Sequence, residues 1–116
     1  ETRCASDQVF SPVYVGTVVD AIIAAIETSI HGIYHVAGPT AYSRMECLEL
    51  MLAEVRRGGA VNFQAEPCSI LGFDLPEARP LNVSMCPDKL ISDTQIQPLS
   101  AQEACRRICR FGRDAA

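Results

Sequence analysis

Apolar residues near the start of the chain follow first an extended and then a helical spacing. In "DQVFSPVYVG", Ser11 precedes a proline, and β-branched and aromatic residues follow, which favours an extended backbone. From Thr17 to Ser29, aliphatic side chains recur every three or four residues. We therefore predict a helix there, with Thr17 and Asp20 as a weak capping box. Glycines bracket the next stretch, "GIYHVAG", for which we predict a short strand.

The clearest helix signal in the sequence begins at Ser43. Ser43 and Glu46 form the S-x-x-E pattern of a capping box, and the apolar residues behind them mark one buried face. Arg56 and Arg57 suit the carboxyl end of this helix, because basic side chains complement the helix dipole there. Gly58 is predicted to provide the left-handed exit.

The second half of the chain has fewer regular patterns. "AVNFQAEP" predicts a short strand, a loop rich in proline and turn formers follows, and "PDKLISD" predicts a short helix. Ser100 and Glu103 open a last helix, which is predicted to end at Gly112. The order is strand, helix, strand, helix, strand, loop and two helices. This is an α/β pattern, a partial sheet with helices that has too few strands for a complete doubly wound sheet.

Length and composition indicate one globular domain that covers residues 1–116. Apolar residues make up 48% of the 116 positions and charged residues 21%, which is typical of an ordinary folded domain. The net charge of −4 and the lack of a long basic run argue against nucleic-acid binding. No apolar run approaches the ~20 residues that span a bilayer, so we expect no membrane partner.

Six cysteines raise the question of a disulfide framework or a zinc site. They contain no CxxC pair, and neither His31 nor His35 stands at a zinc-finger spacing from a cysteine pair. Cys105 and Cys109 lie four apart on a predicted helix, a geometry that does not favour a disulfide. The first residues, "ETRCASDQ", show neither a signal-peptide pattern nor an initiator Met. We predict reduced, mostly buried thiols in a cytoplasmic protein, without a metal site.

Isolated reactive side chains have structural explanations of their own. Ser43 lacks a G-x-S-x-G context, and its capping role accounts for it. Cys47 on the same helix is expected to be a packing residue, because the sequence pairs no base with it. His31 and His35 are separated by a glycine and the start of a predicted strand, so they do not share a helix face. We assign no catalytic residue to the chain.

Five stretches of the chain resemble, in order and spacing, one family of enzymes. They are "DQVFSPVYVGTVVDAI", "GIYHVAG", "SRMECLELMLAEV", "ARPLNVSMCPDKL" and "PLSAQEACRRI". The sequence is similar to the C-terminal third of the extended short-chain dehydrogenase/reductases, above all to the dTDP-dehydrorhamnose reductase branch, which also includes the regulatory beta subunit of methionine adenosyltransferase. The resemblance implies the last strands of an α/β sheet and most of a substrate domain that closes over a nucleotide sugar.

The resemblance also implies substrate-binding residues. The family motif RP-x-N-S/A-x-L corresponds to "RPLNVSM", so Arg79 and Asn82 are expected near the nucleotide or the diphosphate of the ligand, and Gln8 is assigned to the same site. A guanidinium suits this task because its planar donors match phosphate oxygens in pairs. In the alternative interpretation, Arg79 forms a surface ion pair with Glu77, and Asn82 satisfies the loop backbone.

The catalytic and cofactor-binding motifs of the family do not occur in this chain. The seven glycines give no G-x-x-G-x-x-G loop. Lys89 is the only lysine and has no tyrosine four positions before it, so the Tyr-x-x-x-Lys pair is missing. Thr17 stands where the family usually has Asp. The resemblance therefore implies no cofactor for this chain, with NAD(P) expected only together with an N-terminal dinucleotide-binding domain.

Two functions remain open from the sequence. In the first, the chain is the substrate-binding part of a nucleotide-sugar reductase or epimerase and has no catalytic activity by itself. In the second, it is a non-enzymatic binding or oligomerising module derived from the same fold. Without the cofactor domain, the apolar faces around the first helix are left uncovered, so we expect a homodimer.

Overall fold

The computed structural model describes residues 2–114, with only the backbone described at residue 113. The mixed α/β class predicted from the sequence is confirmed. In chain order the elements are β1 (Thr2–Ala5), β2 (Val9–Phe10), α1 (Val15–Thr28), β3 (Tyr42–Ser43), α2 (Arg44–Arg56), β4 (Ala65–Cys68), a 3-10 turn (Ile70–Gly72), α3 (Asp88–Thr94) and α4 (Ala101–Asp114).

Two small sheets form the β part of the fold. In the first, β1 and β4 pair in parallel. In the second, β2 and β3 pair antiparallel, and the backbone of residues 81–83 joins on the other side of β2. The Val9 amide donates to the Leu81 carbonyl at 2.7 Å, and the Val83 amide donates to the Val9 carbonyl at 2.9 Å. These two bonds fix the "RPLNVSM" segment beside β2.

The capping box at the start of α2 is confirmed. The Glu46 amide donates to Ser43 Oγ at 3.1 Å, and the Ser43 amide donates to the Glu46 carboxylate at 2.6 Å. The predicted exit at Gly58 was wrong by one residue. Arg57 keeps helical backbone angles, and the residue with positive φ is Gly59, at +152°.

Two other helix boundaries differ from the sequence prediction. α1 begins at Val15, after the extended Tyr14, and Thr17 lies buried in its first turn instead of capping it. α4 is capped as predicted, with the Glu103 amide donating to Ser100 Oγ at 3.2 Å. The helix continues past Gly112 to Asp114, because one exposed glycine lowers helix propensity without breaking the hydrogen-bond ladder.

The "GIYHVAG" segment is not a strand in the structure. Residues 33–38 pair with no strand among the described residues, because one sheet consists of β1 and β4 and the other of β2 and β3. Side chains of α3 hold the segment instead. The Tyr34 hydroxyl donates to Asp93 at 2.7 Å, and Lys89 Nζ lies 4.2 Å from the centre of the Tyr34 ring and donates to the Ile33 carbonyl at 3.1 Å. The sequence pattern of an extended segment is present, but within residues 2–114 no strand pairs with it.

The interior of the described chain is small. Its buried apolar residues are Ala5, Ala21, Ala37, Leu90, Ala101 and Cys105. Leu90, at 2% exposure, is the one large side chain among them. The radius of gyration is 16.5 Å, whereas a compact domain of this length has about 13 Å. The solvent-accessible surface area is 7766 Å². This is roughly 1,500 Å² more than the area typical of a compact monomer of 12.6 kDa.

The cysteines lie in varied environments. No disulfide joins the thiols of Cys4, Cys47, Cys68, Cys86 and Cys105. Of these five, Cys105 is buried, Cys86 is exposed and the other three are half-buried, so the prediction of mostly buried thiols was wrong. Loss of hydration raises the pKa of the Cys47 and Cys105 thiols. A raised pKa keeps a thiol protonated and unreactive, which fits a packing role for Cys47.

Candidate functional site

Gln8 joins three segments of the chain at the base of a surface groove. It lies between β1 and β2 and is 3% exposed. Its Nε2 donates to the Pro80 carbonyl at 3.2 Å, and its Oε1 accepts from Arg44 Nε at 2.6 Å. The Arg44 amide also donates to the Gln8 carbonyl at 3.2 Å. A buried amide that is satisfied on both sides fixes its neighbours, so Gln8 holds Arg44 and the segment at Pro80 in place.

Arg44 is the first residue of α2, a position that disfavours a positive charge. The amino end of a helix carries partial positive charge, which a cation opposes and an anion complements. The guanidinium is held by Gln8 and lies 5.0 Å from the centre of the Phe10 ring. Arg44 was not among the site residues predicted from the sequence. A basic residue directly after the helix cap is the signal that points to it.

Arg79 lies at the edge of the same groove. The main cleft has a volume of about 570 Å³ and lies between Gln8, Arg44, the stretch 75–80 and Val83. Arg79 also lines two smaller hollows of about 290 and 260 Å³. The ion pair with Glu77 that the alternative interpretation proposed does not form, although Glu77 lines the same cleft. We call these three hollows, which share Leu75 and Arg79 in their lining, the arginine groove.

Arg3 is the third basic residue of the arginine groove. It extends from β1 into the hollow that Arg44 and Arg79 also line, and its guanidinium lies 5.2 Å from the Phe73 ring centre. Among the described residues, no carboxylate lies within 4 Å of Arg3, Arg44 or Arg79. Arg3 was also not predicted from the sequence, because its position in the groove depends on the pairing of β1 with a strand more than sixty residues away.

Asn82 lies outside the arginine groove. Its Oδ1 accepts from the Ser84 amide at 3.0 Å and from Ser84 Oγ at 2.6 Å. This is the local side-chain turn that asparagine often forms with the backbone two residues later. The structure therefore brings Gln8 and Arg79 together and places Asn82 in a turn-forming role, as the alternative interpretation described.

Asp7 fixes one wall of the arginine groove. Its carboxylate accepts from Ser69 Oγ and, at 2.8 Å, from the Ile70 amide, so it anchors the 3-10 turn whose residues Ile70 and Leu71 line the smaller hollows. The hydrogen bond from Ser69, followed by that from Ile70, lowers the pKa of Asp7 below its ordinary value.

Replacing Asp7 with asparagine is expected to lower the melting temperature at neutral pH and to have little effect near pH 2. Because the pKa is lower in the folded state, the ionised carboxylate stabilises the fold above its ordinary pKa of 3.8, and this stabilisation is lost as the pH falls through the lowered value. Thermal unfolding across pH 2 to 7 measures the difference. Asp74→Asn removes an exposed carboxylate on the neighbouring loop and serves as the control. A difference that does not change with pH would contradict the role given to Asp7.

The remaining sequence candidates form no second site. Within residues 2–114, no three His, Cys, Asp or Glu side chains are arranged to hold a metal ion. None of the helices in that range combines the length and apolar content needed to cross a membrane. His31 and His35 are both exposed.

The fold matches a portion of several nucleotide-sugar enzymes of the extended short-chain dehydrogenase/reductase class. A dTDP-4-dehydrorhamnose reductase from Bacillus anthracis, solved in complex with NADP, is 28% identical, with a TM-score of 0.76 over 90% of this chain and 36% of its own. A dTDP-4-dehydrorhamnose reductase from Clostridium acetobutylicum is 16% identical, with a TM-score of 0.77 over 96% and 38%. A dTDP-glucose 4,6-dehydratase from B. anthracis is 11% identical, with a TM-score of 0.71 over 97% and 34%.

These structures confirm the resemblance that the sequence indicated. The chain is similar to dTDP-4-dehydrorhamnose reductase and to related extended short-chain dehydrogenase/reductases, and it spans about a third of the length of the structures it matches. No protein-family model matches the chain, and no curated protein matches it in sequence.

Proposed function

We propose that this chain is the nucleotide-sugar-binding portion of a dTDP-dehydrorhamnose reductase-like protein, and that the arginine groove binds the diphosphate of the ligand. The observation that carries the proposal is the convergence of Arg3, Arg44 and Arg79 on shared hollows without carboxylates within ion-pairing distance. A diphosphate supplies the missing negative charge, and its oxygens match the paired donors of a guanidinium.

The surroundings of the arginines support a preformed anion site. Gln8 fixes Arg44 by a hydrogen bond to Nε, and Phe10 and Phe73 lie under the Arg44 and Arg3 guanidinium groups. These contacts limit the side-chain rotation that ligand binding would otherwise have to restrict.

The ligand class follows from the groove together with the fold. Three of the structures with this fold carry the names of enzymes that act on dTDP-linked sugars. The chain lacks the glycine-rich loop and the Tyr-x-x-x-Lys pair, so the proposed role is binding and not catalysis. Hydride transfer would require a nicotinamide cofactor held by a separate domain.

Calorimetric titration tests the proposed function directly. We expect dTDP-glucose and thymidine diphosphate to bind and thymidine to bind much more weakly, because only the first two carry a diphosphate. Because the groove is open to solvent, binding should weaken as salt rises, since the Debye length falls from about 30 Å at 0.01 M to about 8 Å at 0.15 M. Equal binding of thymidine and thymidine diphosphate would contradict a diphosphate site.

A second candidate function, a stand-alone oligomerising module, is favoured by a separate observation. The large aliphatic side chains of α1 point to solvent. The oligomerising function does not require the arginine groove, so a chain that fails to bind nucleotides would not contradict it.

A further inference from the structure

The buried side chain of Gln8 connects two of the arginines in the arginine groove. Its Oε1 accepts from Arg44 Nε at 2.6 Å, and its Nε2 donates at 3.2 Å to the carbonyl of Pro80, the residue directly after Arg79. The Gln8 carbonyl also accepts from the Arg44 amide at 3.2 Å. One residue therefore holds the backbone and guanidinium of Arg44 beside the segment that carries Arg79.

The two partners of the Gln8 side chain require an amide at this position. The Nε–H of an arginine can only donate, and a backbone carbonyl can only accept, so a side chain that links them must offer one acceptor and one donor. An ionised carboxylate offers only acceptors, and a hydrocarbon offers neither. Gln8 is 3% exposed and both polar atoms of its amide already have partners in the chain. The amide is thus engaged by the protein and not directed at a ligand.

We propose that Gln8 is a positioning residue that makes the arginine groove selective for a diphosphate over a monophosphate. This inference rests on the proposed function. Arg44 and Arg79 line the same cleft of about 570 Å³ and the same hollow of about 290 Å³. Because Gln8 fixes Arg44 next to the Arg79 segment, each guanidinium can bind one phosphate of a diphosphate without a further loss of rotational freedom at Arg44. A monophosphate can use only part of this arrangement.

Replacing Gln8 with methionine is expected to reduce this selectivity. Methionine has a similar volume but makes neither hydrogen bond, so Arg44 would have to be ordered when the diphosphate binds. Ordering one long side chain weakens binding by roughly 2- to 12-fold. We expect the affinity for thymidine diphosphate to fall by this factor and that for thymidine monophosphate to change little. Calorimetric titration of both ligands gives the ratio of the two affinities.

The ratio of affinities separates positioning from a general loss of stability. If part of the molecules unfold, the apparent affinities for both ligands fall by the same fraction, and their ratio is unchanged. Leu90→Ala is the control, because it destabilises the core and Leu90 lines none of the three hollows. This variant should keep the wild-type ratio.

A nuclear magnetic resonance measurement on the ligand-free chain tests the positioning of Arg44 without a binding experiment. The Arg44 Nε–H should exchange slowly with solvent in the wild type, because it donates to a buried amide, whereas the Nε–H of the exposed Arg79 should exchange fast. In Gln8→Met the Arg44 signal should become as fast as that of Arg79.

Three results would overturn the inference. A wild-type ratio of affinities in Gln8→Met would show that Gln8 does not set the selectivity, while the proposed diphosphate site itself would stand. Fast exchange of the Arg44 Nε–H in the wild type would show that Gln8 does not hold the guanidinium. A wild-type chain that binds no thymidine diphosphate would contradict the proposed function and the selectivity together.

Discussion

Replacing Arg79 with alanine is expected to weaken the binding of thymidine diphosphate by about 10- to 150-fold. A hydrogen bond to a charged group contributes about 1.5 to 3 kcal/mol, and Arg79 lines all three hollows of the arginine groove. The melting temperature should change little, because Arg79 is exposed and no hydrogen bond or ion pair holds its guanidinium among the described residues. Calorimetric titration of both proteins at low salt gives the two dissociation constants.

One further variant separates the donor geometry of Arg79 from its charge, and a second variant serves as a control. Arg79→Lys keeps the charge but loses the paired donors, so its affinity should lie between those of the wild type and Arg79→Ala. Arg110→Ala removes an exposed charge from α4, far along the chain from the groove segments, and should leave binding nearly unchanged. Unchanged affinity in Arg79→Ala would contradict a binding role for Arg79 and would favour a structural role at the surface.

Replacing Leu90 with alanine is expected to have the largest effect on stability. Leu90 is the one large side chain among the buried apolar residues that the structure describes, and removing a fully buried leucine costs about 2 to 5 kcal/mol. The total stability of a domain is only about 5 to 15 kcal/mol, and a core made mostly of alanines points to the lower part of that range. We expect a fall in the melting temperature of roughly 10 to 20 °C.

The same substitution at an exposed site provides the comparison. Leu71→Ala removes the same atoms from a side chain that is 74% exposed, so it should change the free energy of unfolding by less than about 0.5 kcal/mol. Urea unfolding followed by circular dichroism measures both variants. Similar midpoints for Leu90→Ala and Leu71→Ala would show that Leu90 does not anchor the core.

The parts of the fold that depend on local sequence were predictable. The capping box at Ser43 and the cap at Ser100 are made by side chains three residues from the amides they bind, so the sequence alone contains the whole interaction. The strand predicted at "GIYHVAG" failed for the opposite reason. An extended segment becomes a strand only when another strand lies beside it, and no strand lies beside residues 33–38 within the described chain.

The candidate site was predictable only in part. Arg79 and Gln8 were assigned through the family resemblance, and the structure brings both to one groove. The contributions of Arg3 and Arg44 require contacts between residues distant in sequence, β1 with β4 and α2 with the loop at Gln8. The basic residue directly after the helix cap is a sequence signal for Arg44, but no single-sequence pattern shows that β1 brings Arg3 to the same groove. The assignments of Gln8, Arg79 and Asn82 to substrate stay predictions until a ligand is tested.

A nuclear magnetic resonance titration of the ¹⁵N-labelled chain with thymidine diphosphate locates the bound diphosphate, because the arginine Nε–H and backbone amide signals are followed together. We expect saturable shifts at Arg3, Gln8, Arg44 and Arg79, with no comparable change at Arg56 or Arg110. Shifts confined to other arginines, or none up to millimolar ligand, would contradict a diphosphate site in the arginine groove.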